Sequence, residues 1–159
     1  MENMWSPWRM KYINDSENPE GCVFCFAPQK NHDEDMLIVH RGKAAFVILN
    51  RYPYTSGHLM VVPFSHVSSI EMLTPEVRFE MIELVNTALR VLRSAYKPDG
   101  FNVGINMGSA GGAGIAEHAH IHVVPRWAGD TNFMSTVGET RVIPEDLAIT
   151  YKRIKEAWK

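Results

Sequence analysis

Glu117-His118-Ala119-His120-Ile121-His122-Val123-Val124-Pro125-Arg126-Trp127 is the stretch on which the reading of this chain turns. Three of the seven histidines alternate within it. The β-branched Ile121, Val123 and Val124 favour a strand, and alternate side chains of a strand share one face. A strand would stand His118, His120 and His122 in a row, roughly 7 Å between neighbours. A helix would scatter them. Three imidazoles in one row point to chemistry rather than packing, and two readings stay open. The row could ligate a catalytic metal. Alternatively, one histidine could be a nucleophile, with the others orienting it and donating to a phosphate.

Just upstream, Gly108-Ser109-Ala110-Gly111-Gly112-Ala113-Gly114 lets backbone N–H groups approach an anion. Beside a histidine row, it suggests a phosphate held next to an imidazole. Further out, Met36–His40, Ala44–Asn50, His58–Phe64 and Phe101–Met107 read as strands, and 53–57 suits a hairpin connection. The spacing of Val77, Met81, Leu84, Val85, Ala88, Leu89 and Leu92 predicts a helix over Pro75–Tyr96. Thr74 is its expected N-cap, Pro75 its first residue, and Lys97-Pro98-Asp99-Gly100 its end. A second helix is expected from near Pro144, with Tyr151, Ile154 and Trp158 on one side. These elements make an α+β domain with a mostly antiparallel sheet.

The 159 residues carry 16 basic and 18 acidic side chains, a formal charge of −2. That balance does not suit gripping a nucleic-acid polymer, but a small nucleotide is compatible with it. One domain is expected, with an arm over about 1–20 and an extension over about 128–159. No run of about 18 apolar residues predicts a membrane span. The N-terminal residues lack the apolar core of a secretory signal. The two cysteines, Cys22 and Cys25, make no disulfide framework, so a cytoplasmic location is expected. As a C-x2-C pair they are compatible with a metal site, a redox dithiol or two buried thiols.

His118-Ala119-His120-Ile121-His122-Val123-Val124 matches the signature of the histidine-triad (HIT) family in full. Leu49-Asn50-Arg51, Gly57-His58 and Val61-Val62-Pro63 resemble that family's nucleoside-binding strand pair. Met4-Trp5-Ser6-Pro7-Trp8-Arg9, Gly114-Ile115-Ala116-Glu117-His118 and the segment 125–133 are similar to its bacterial diadenosine-tetraphosphate phosphorylase-like branch. The resemblance implies a five-stranded antiparallel sheet with one long helix and a C-terminal helix. It also implies a homodimer whose two sheets join. His120 would then form a nucleotidyl-histidine, with His118 and His122 as its catalytic partners, and His122 would donate to phosphate oxygens. Asn50 would bind the ribose, while Phe24 and Phe46 wall the base pocket. Asn106 and the backbone of Gly112, Gly114 and Ile115 would line the phosphate site. Zinc-bearing members further imply a closed Cys22–Cys25–His66–His118 site with structural zinc, and no organic cofactor is expected. The implied activity is nucleotidyl transfer from dinucleoside polyphosphates to phosphate or water. The alternative is hydrolysis of nucleoside phosphoramidates or adenylylated small molecules. One departure bears on that choice: Ala113 and Gly114 stand where some family hydrolases carry Gln and Ser. Those smaller residues suggest space for inorganic phosphate or a longer polyphosphate.

Overall fold

A computed structural model of the chain describes residues 21–131 and 145–158. The expected roles of the N-terminal arm, of residues 132–133 and of Pro144 lie outside the described residues. The elements are α1 (Val23–Phe26), a 3-10 turn (Ala27–Gln29), α2 (Asp33–Met36), β1 (Ile38–Arg41), β2 (Ala45–Leu49), β3 (Leu59–Pro63), a second 3-10 turn (Ile70–Met72), α3 (Pro75–Tyr96), β4 (Gly100–Ile105), β5 (Ile121–Arg126) and α4 (Leu147–Ala157). The five strands form one antiparallel sheet in the order β1-β2-β3-β5-β4.

Alternation along the strands divides the sheet into two faces. Val39, Ala45, Val47, Leu49, Leu59, Val61, Ile121 and Val123 point to one side. There they pack against Met81, Leu84, Val85, Ala88, Val91 and Leu92, the buried stripe of α3. Ile38, Phe46, Ile48, Met60 and Val62 point to the other side and meet Phe24 and Ala27 of the N-terminal turns. The sheet is thus sandwiched along its centre, and both layers are apolar where they touch it.

The expected bounds of α3 match the observed ones. Proline at the first position and a left-handed Lys97 (φ 48°) at the end explain why. Thr74 occupies the N-cap position without a side-chain capping bond. The strand expected from Met36 begins instead at Ile38. Asp33, Glu34 and Asp35 crowd the first turn of α2, where acidic side chains complement the helix N-terminus. Leu37 then turns left-handed (φ 62°) to release the chain into β1.

α4 starts at Leu147, where the Asp146 carboxylate accepts from the Ala148 N–H at 2.8 Å. Tyr151 and Ile154 are buried against the core, and Trp158 packs beside them. The Tyr151 hydroxyl donates to the Ile38 carbonyl (3.1 Å), and the Lys155 ammonium to the Val39 carbonyl (2.9 Å). This helix therefore covers the β1 edge of the sheet. Glu145, just before it, accepts from the Tyr96 hydroxyl of α3 and from Arg153 at 2.6 Å. Burial and that carboxylate push the Tyr96 phenol up to about 12.

Candidate active site

The triad does not lie wholly on a strand. β5 begins at Ile121, so only His122 is a strand residue, and His118 and His120 precede it. Pairing stops on both sides at the same level: β4 ends with Ile105, and β3, although it runs on to Pro63 beside β2, pairs with β5 only as far as Val61 opposite Ile121. Beyond that point the chain is held by single bonds. The Ala119 N–H donates to the Val67 carbonyl (2.7 Å), and the His118 Nε2–H to the Pro63 carbonyl (2.9 Å).

These bonds assign a proton to each ring. His118 donates through Nε2, so its Nδ1 lone pair faces the cysteines, at 3.3 Å from Cys22 Sγ and 3.6 Å from Cys25 Sγ. His120 donates through Nδ1–H to the His118 carbonyl at 2.8 Å. Its Nε2 is then the bare, nucleophilic nitrogen. Burial lowers the His120 pKa and keeps the ring neutral, as a nucleophile requires.

His122 is fixed from further away. The Tyr54 backbone N–H donates to His58 Nδ1 at 3.1 Å, and the Asn50 amide nitrogen lies 3.3 Å from the same atom. A backbone N–H can only donate, so His58 Nδ1 accepts and its Nε2 carries the proton. His58 Nε2–H therefore donates to His122 Nδ1 at 2.9 Å, leaving the His122 proton on Nε2 as a donor. Burial and the neighbouring His120 push His122 down to about 4, so this ring is also neutral near pH 7. His120 and His122 meet edge to face with ring centroids 4.7 Å apart.

His58 is 0% exposed and is part of this arrangement. From the sequence it reads as a hairpin support, because its partner lies 64 residues away. Tyr54, also from the 53–57 connection, packs 4.6 Å from the His58 ring and 6.0 Å from His122. Two sequence signals bear on His58: the family resemblance of Gly57-His58, which implies a place close to the site, and period-two alternation, which puts it on the same face as Met60 and Val62.

The other expected site residues divide into three groups. Phe24 and Phe46 are buried in the apolar cluster on this face. Phe24 touches both His118 (5.5 Å between centroids) and His120 (4.9 Å). Asn50 spends its Oδ1 on the Tyr52 N–H at 2.9 Å, which braces the connection. In the glycine-rich loop, the N–H groups of Gly111, Gly112 and Ala113 close internal turns, and the Asn106 amide reaches the Gly112 carbonyl at 3.5 Å. Ile115 packs on the apolar cluster, and Gly114 precedes it toward the triad.

Cys22, Cys25, His66 and His118 bring their ligand atoms within 4.8 Å of one another, a group that could hold a metal ion. Beyond the cysteine–His118 contacts, Cys25 Sγ lies 3.3 Å from His66 Nδ1, and the two Nδ1 atoms are 3.3 Å apart. The Pro63 carbonyl accepts the His118 Nε2–H and so orients that ring with Nδ1 toward the cluster, as backbone carbonyls do for metal-ligating histidines. His118 is thus shared: its ring belongs to this cluster, while its carbonyl holds the His120 ring.

The HIT domain pattern matches residues 31–129. The AP-4-A phosphorylase of Mycobacterium tuberculosis is 41% identical, an alignment covering 99% of this chain and 85% of that protein. The asymmetrical bis(5'-nucleosyl)-tetraphosphatase of Schizosaccharomyces pombe is 27% identical over 58% of this chain and 50% of its own length. The crystal structure of a Zn-bound histidine triad family protein from Mycobacterium smegmatis superposes with a TM-score of 0.70. It is 28% identical and the match covers 87% of this chain and 93% of that one.

Proposed function

Because the chain belongs to the HIT-domain family, we propose that it is an enzyme that cleaves dinucleoside polyphosphates by nucleotidyl transfer through His120. The observation that carries this reading is the set of ring protons. One buried neutral imidazole offers a bare Nε2, and its neighbour offers an Nε2–H. That pair suits attack on a phosphorus with a donor aimed at the oxygens gaining charge. His120 Nε2 forms an N–P bond to the α-phosphorus. The bridging P–O bond breaks, and its electron pair leaves on the nucleoside polyphosphate. An oxygen of inorganic phosphate then attacks the nucleotidyl-histidine and returns Nε2 to its starting state. With diadenosine tetraphosphate, the products are ATP and then ADP. The sequence similarity to a protein named AP-4-A phosphorylase supports phosphate as the acceptor.

Asn50 is assigned to the ribose. Phe24 and Phe46 are assigned to the base side, and Asn106, Gly112, Gly114 and Ile115 to the phosphates. The cluster of Cys22, Cys25, His66 and His118 is assigned to zinc. A tetrahedral zinc with two sulfur and two nitrogen ligands needs N···N edges of about 3.3 Å and N···S edges of about 3.6 Å. The observed 3.3 Å Nδ1 pair and the 3.3–3.6 Å sulfur–nitrogen contacts fit those values. Such a closed site would supply a cross-link rather than a reacting centre.

The full chain reads as a single HIT domain with an N-terminal arm and a C-terminal extension. A cytoplasmic location is supported by the two cysteines, which are free thiols gathered with histidines. No described helix is long and apolar enough to cross a membrane. A homodimer through β4 is supported by the two edges of the sheet. α4 covers β1, whereas Asn102, Val103 and Gly104 of β4 are exposed, and exposed edges invite strand pairing.

The test is incubation of the purified protein with diadenosine tetraphosphate, with and without inorganic phosphate, followed by separation of the nucleotides. ATP plus ADP formed only with phosphate supports the reading. AMP plus ATP regardless of phosphate moves the acceptor to water, and no turnover overturns the dinucleotide substrate.

A further inference from the structure

We propose that Gly104 determines specificity for the leaving group: its missing side chain is the slot through which the polyphosphate chain beyond the α-phosphorus leaves the triad. The inference rests on the dinucleotide reading above. The strand register sets the geometry. His122 lies between two cross-strand neighbours, Met60 on β3 and Gly104 on β4. Alternation puts Gly104 on the triad's face of the sheet, because Phe101 and Ile105 pack toward α3. On the β3 side, the space beside His122 is closed by Met60, 7% exposed, and by the apolar cluster under α1. On the β4 side no described residue closes it, and pairing along the β4 edge would leave this face of the strand uncovered. A Cβ built at Gly104 meets no heavy atom of the described residues within 4 Å. The glycines with positive φ do not include it, so the backbone does not require glycine there. Nor does strand stability, since glycine weakens a strand interior. A glycine that neither conformation nor packing demands, next to a phosphate-binding imidazole, is explained by what must pass over it.

The two flanks of the triad then sort the substrate by chemistry. The closed apolar flank suits the nucleoside, which is the same in every substrate. The open flank, bordered by Asn102 on the same face of β4 and by Asn106 just beyond the strand's end, suits a long hydrated anion. Opposed residues in an antiparallel pair place their Cβ atoms about 5 Å apart. The methyl groups of a valine at 104 would therefore stand beside the His122 ring, where the chain has to cross.

The experiment uses the full chain and its Gly104→Ala and Gly104→Val variants. Valine is a good strand residue, so urea midpoints at or above the wild-type value are expected. The kcat/KM for diadenosine tetraphosphate with phosphate is measured beside the inhibition constant of AMP. AMP carries the nucleoside and α-phosphate but no chain beyond them. The expected result is a loss of at least about tenfold in kcat/KM for the valine variant, a smaller loss for alanine, and AMP inhibition within about threefold of wild type. If wild type is active and the valine variant matches it, or loses AMP binding in equal measure, the inference is overturned alone. A wild-type chain inert toward the tetraphosphate overturns the functional reading and this inference together.

Discussion

The two faces of the sheet are cut from the same strands, and they differ in what their alternate residues cost. Toward α3, the alternate residues of β2 and β3 are aliphatic, and the layer is sealed by Met81, Ala88 and Leu92. Toward the site, the same alternation places His58 and His122 among Phe46, Ile48, Met60 and Val62. His58 is as buried as any core leucine, yet its two ring nitrogens are both engaged, as a buried polar group requires. The first face supplies stability that tolerates little loss of volume. The second spends stability on holding neutral, oriented imidazoles. A substitution on one face should therefore move folding, and a substitution on the other should move turnover.

His120→Asn is the largest break expected on the site face. It removes the nitrogen proposed to form the covalent bond, so kcat should fall by on the order of 10^4-fold or more while AMP still binds. Quenched-flow trapping of a nucleotidyl-protein should succeed with wild type and fail with this variant. Retained turnover would remove His120 from its role. Leu92→Ala is the matching break on the other face. Leu92 is fully buried under the sheet, and truncation should cost about 2–5 kcal/mol of unfolding free energy. Activity per folded molecule should stay near wild type, which denaturant titration and active-site counting together would check. If Leu92→Ala changes kcat as strongly as stability, the separation between the faces fails.

What the sequence discloses of this arrangement depends on how local each interaction is. The ends of α3 are legible because Pro75 and the Lys97–Gly100 exit act within one turn. The two-face alternation of β2 and β3 is legible for the same reason. The start of β1 is not, because Met36 reads as a strand residue until the acidic first turn of α2 and the left-handed Leu37 claim it. His118 and His120 fall off the strand because cross-strand pairing ends at Ile121, and where pairing ends is invisible in local spacing. The cysteine–histidine cluster joins Cys22 to His118 over 96 residues of chain, so its membership follows from family resemblance rather than from spacing. His40 reads as an ordinary surface histidine, yet it stacks on Trp158 at 5.3 Å because α4 returns to the β1 edge. His58 shows the limit most clearly: its identity is plain, and its meaning comes from a bond to a strand 64 residues on.

His58→Asn tests that long-range bond. His58 acts through His122, so it is a positioning residue, and kcat should fall by about 10- to 100-fold while KM changes little. The split between the two constants, measured with saturating phosphate, separates this from a loss of substrate binding. An equal rise in KM with unchanged kcat would place His58 in contact with the nucleotide instead.

The smallest effect expected is a pH dependence confined to the site face. His122 is held at about 4 in the fold, against about 6.5 for an unperturbed histidine. Between those values the unfolded chain binds a proton that the folded chain refuses. Stability contributed by this residue therefore falls as pH drops through 6.5, and the fall is complete only near 4. From pH 7 to pH 5 the loss is at most about 2 kcal/mol, less whatever solvent access at the partly exposed ring relieves. Metal release from the cysteine–histidine group on acidification would add its own loss, since ligands must be deprotonated to bind. His122→Asn isolates the difference, because the variant keeps the cysteine–histidine cluster and deletes the His122 titration. Urea unfolding of both proteins at pH 7 and pH 5 should show the smaller acid loss in the variant. Equal losses would mean that His122 takes up its proton in the folded state as readily as in the unfolded one. The ring could not then be the neutral, pre-aimed donor that separates this face of the sheet from the other.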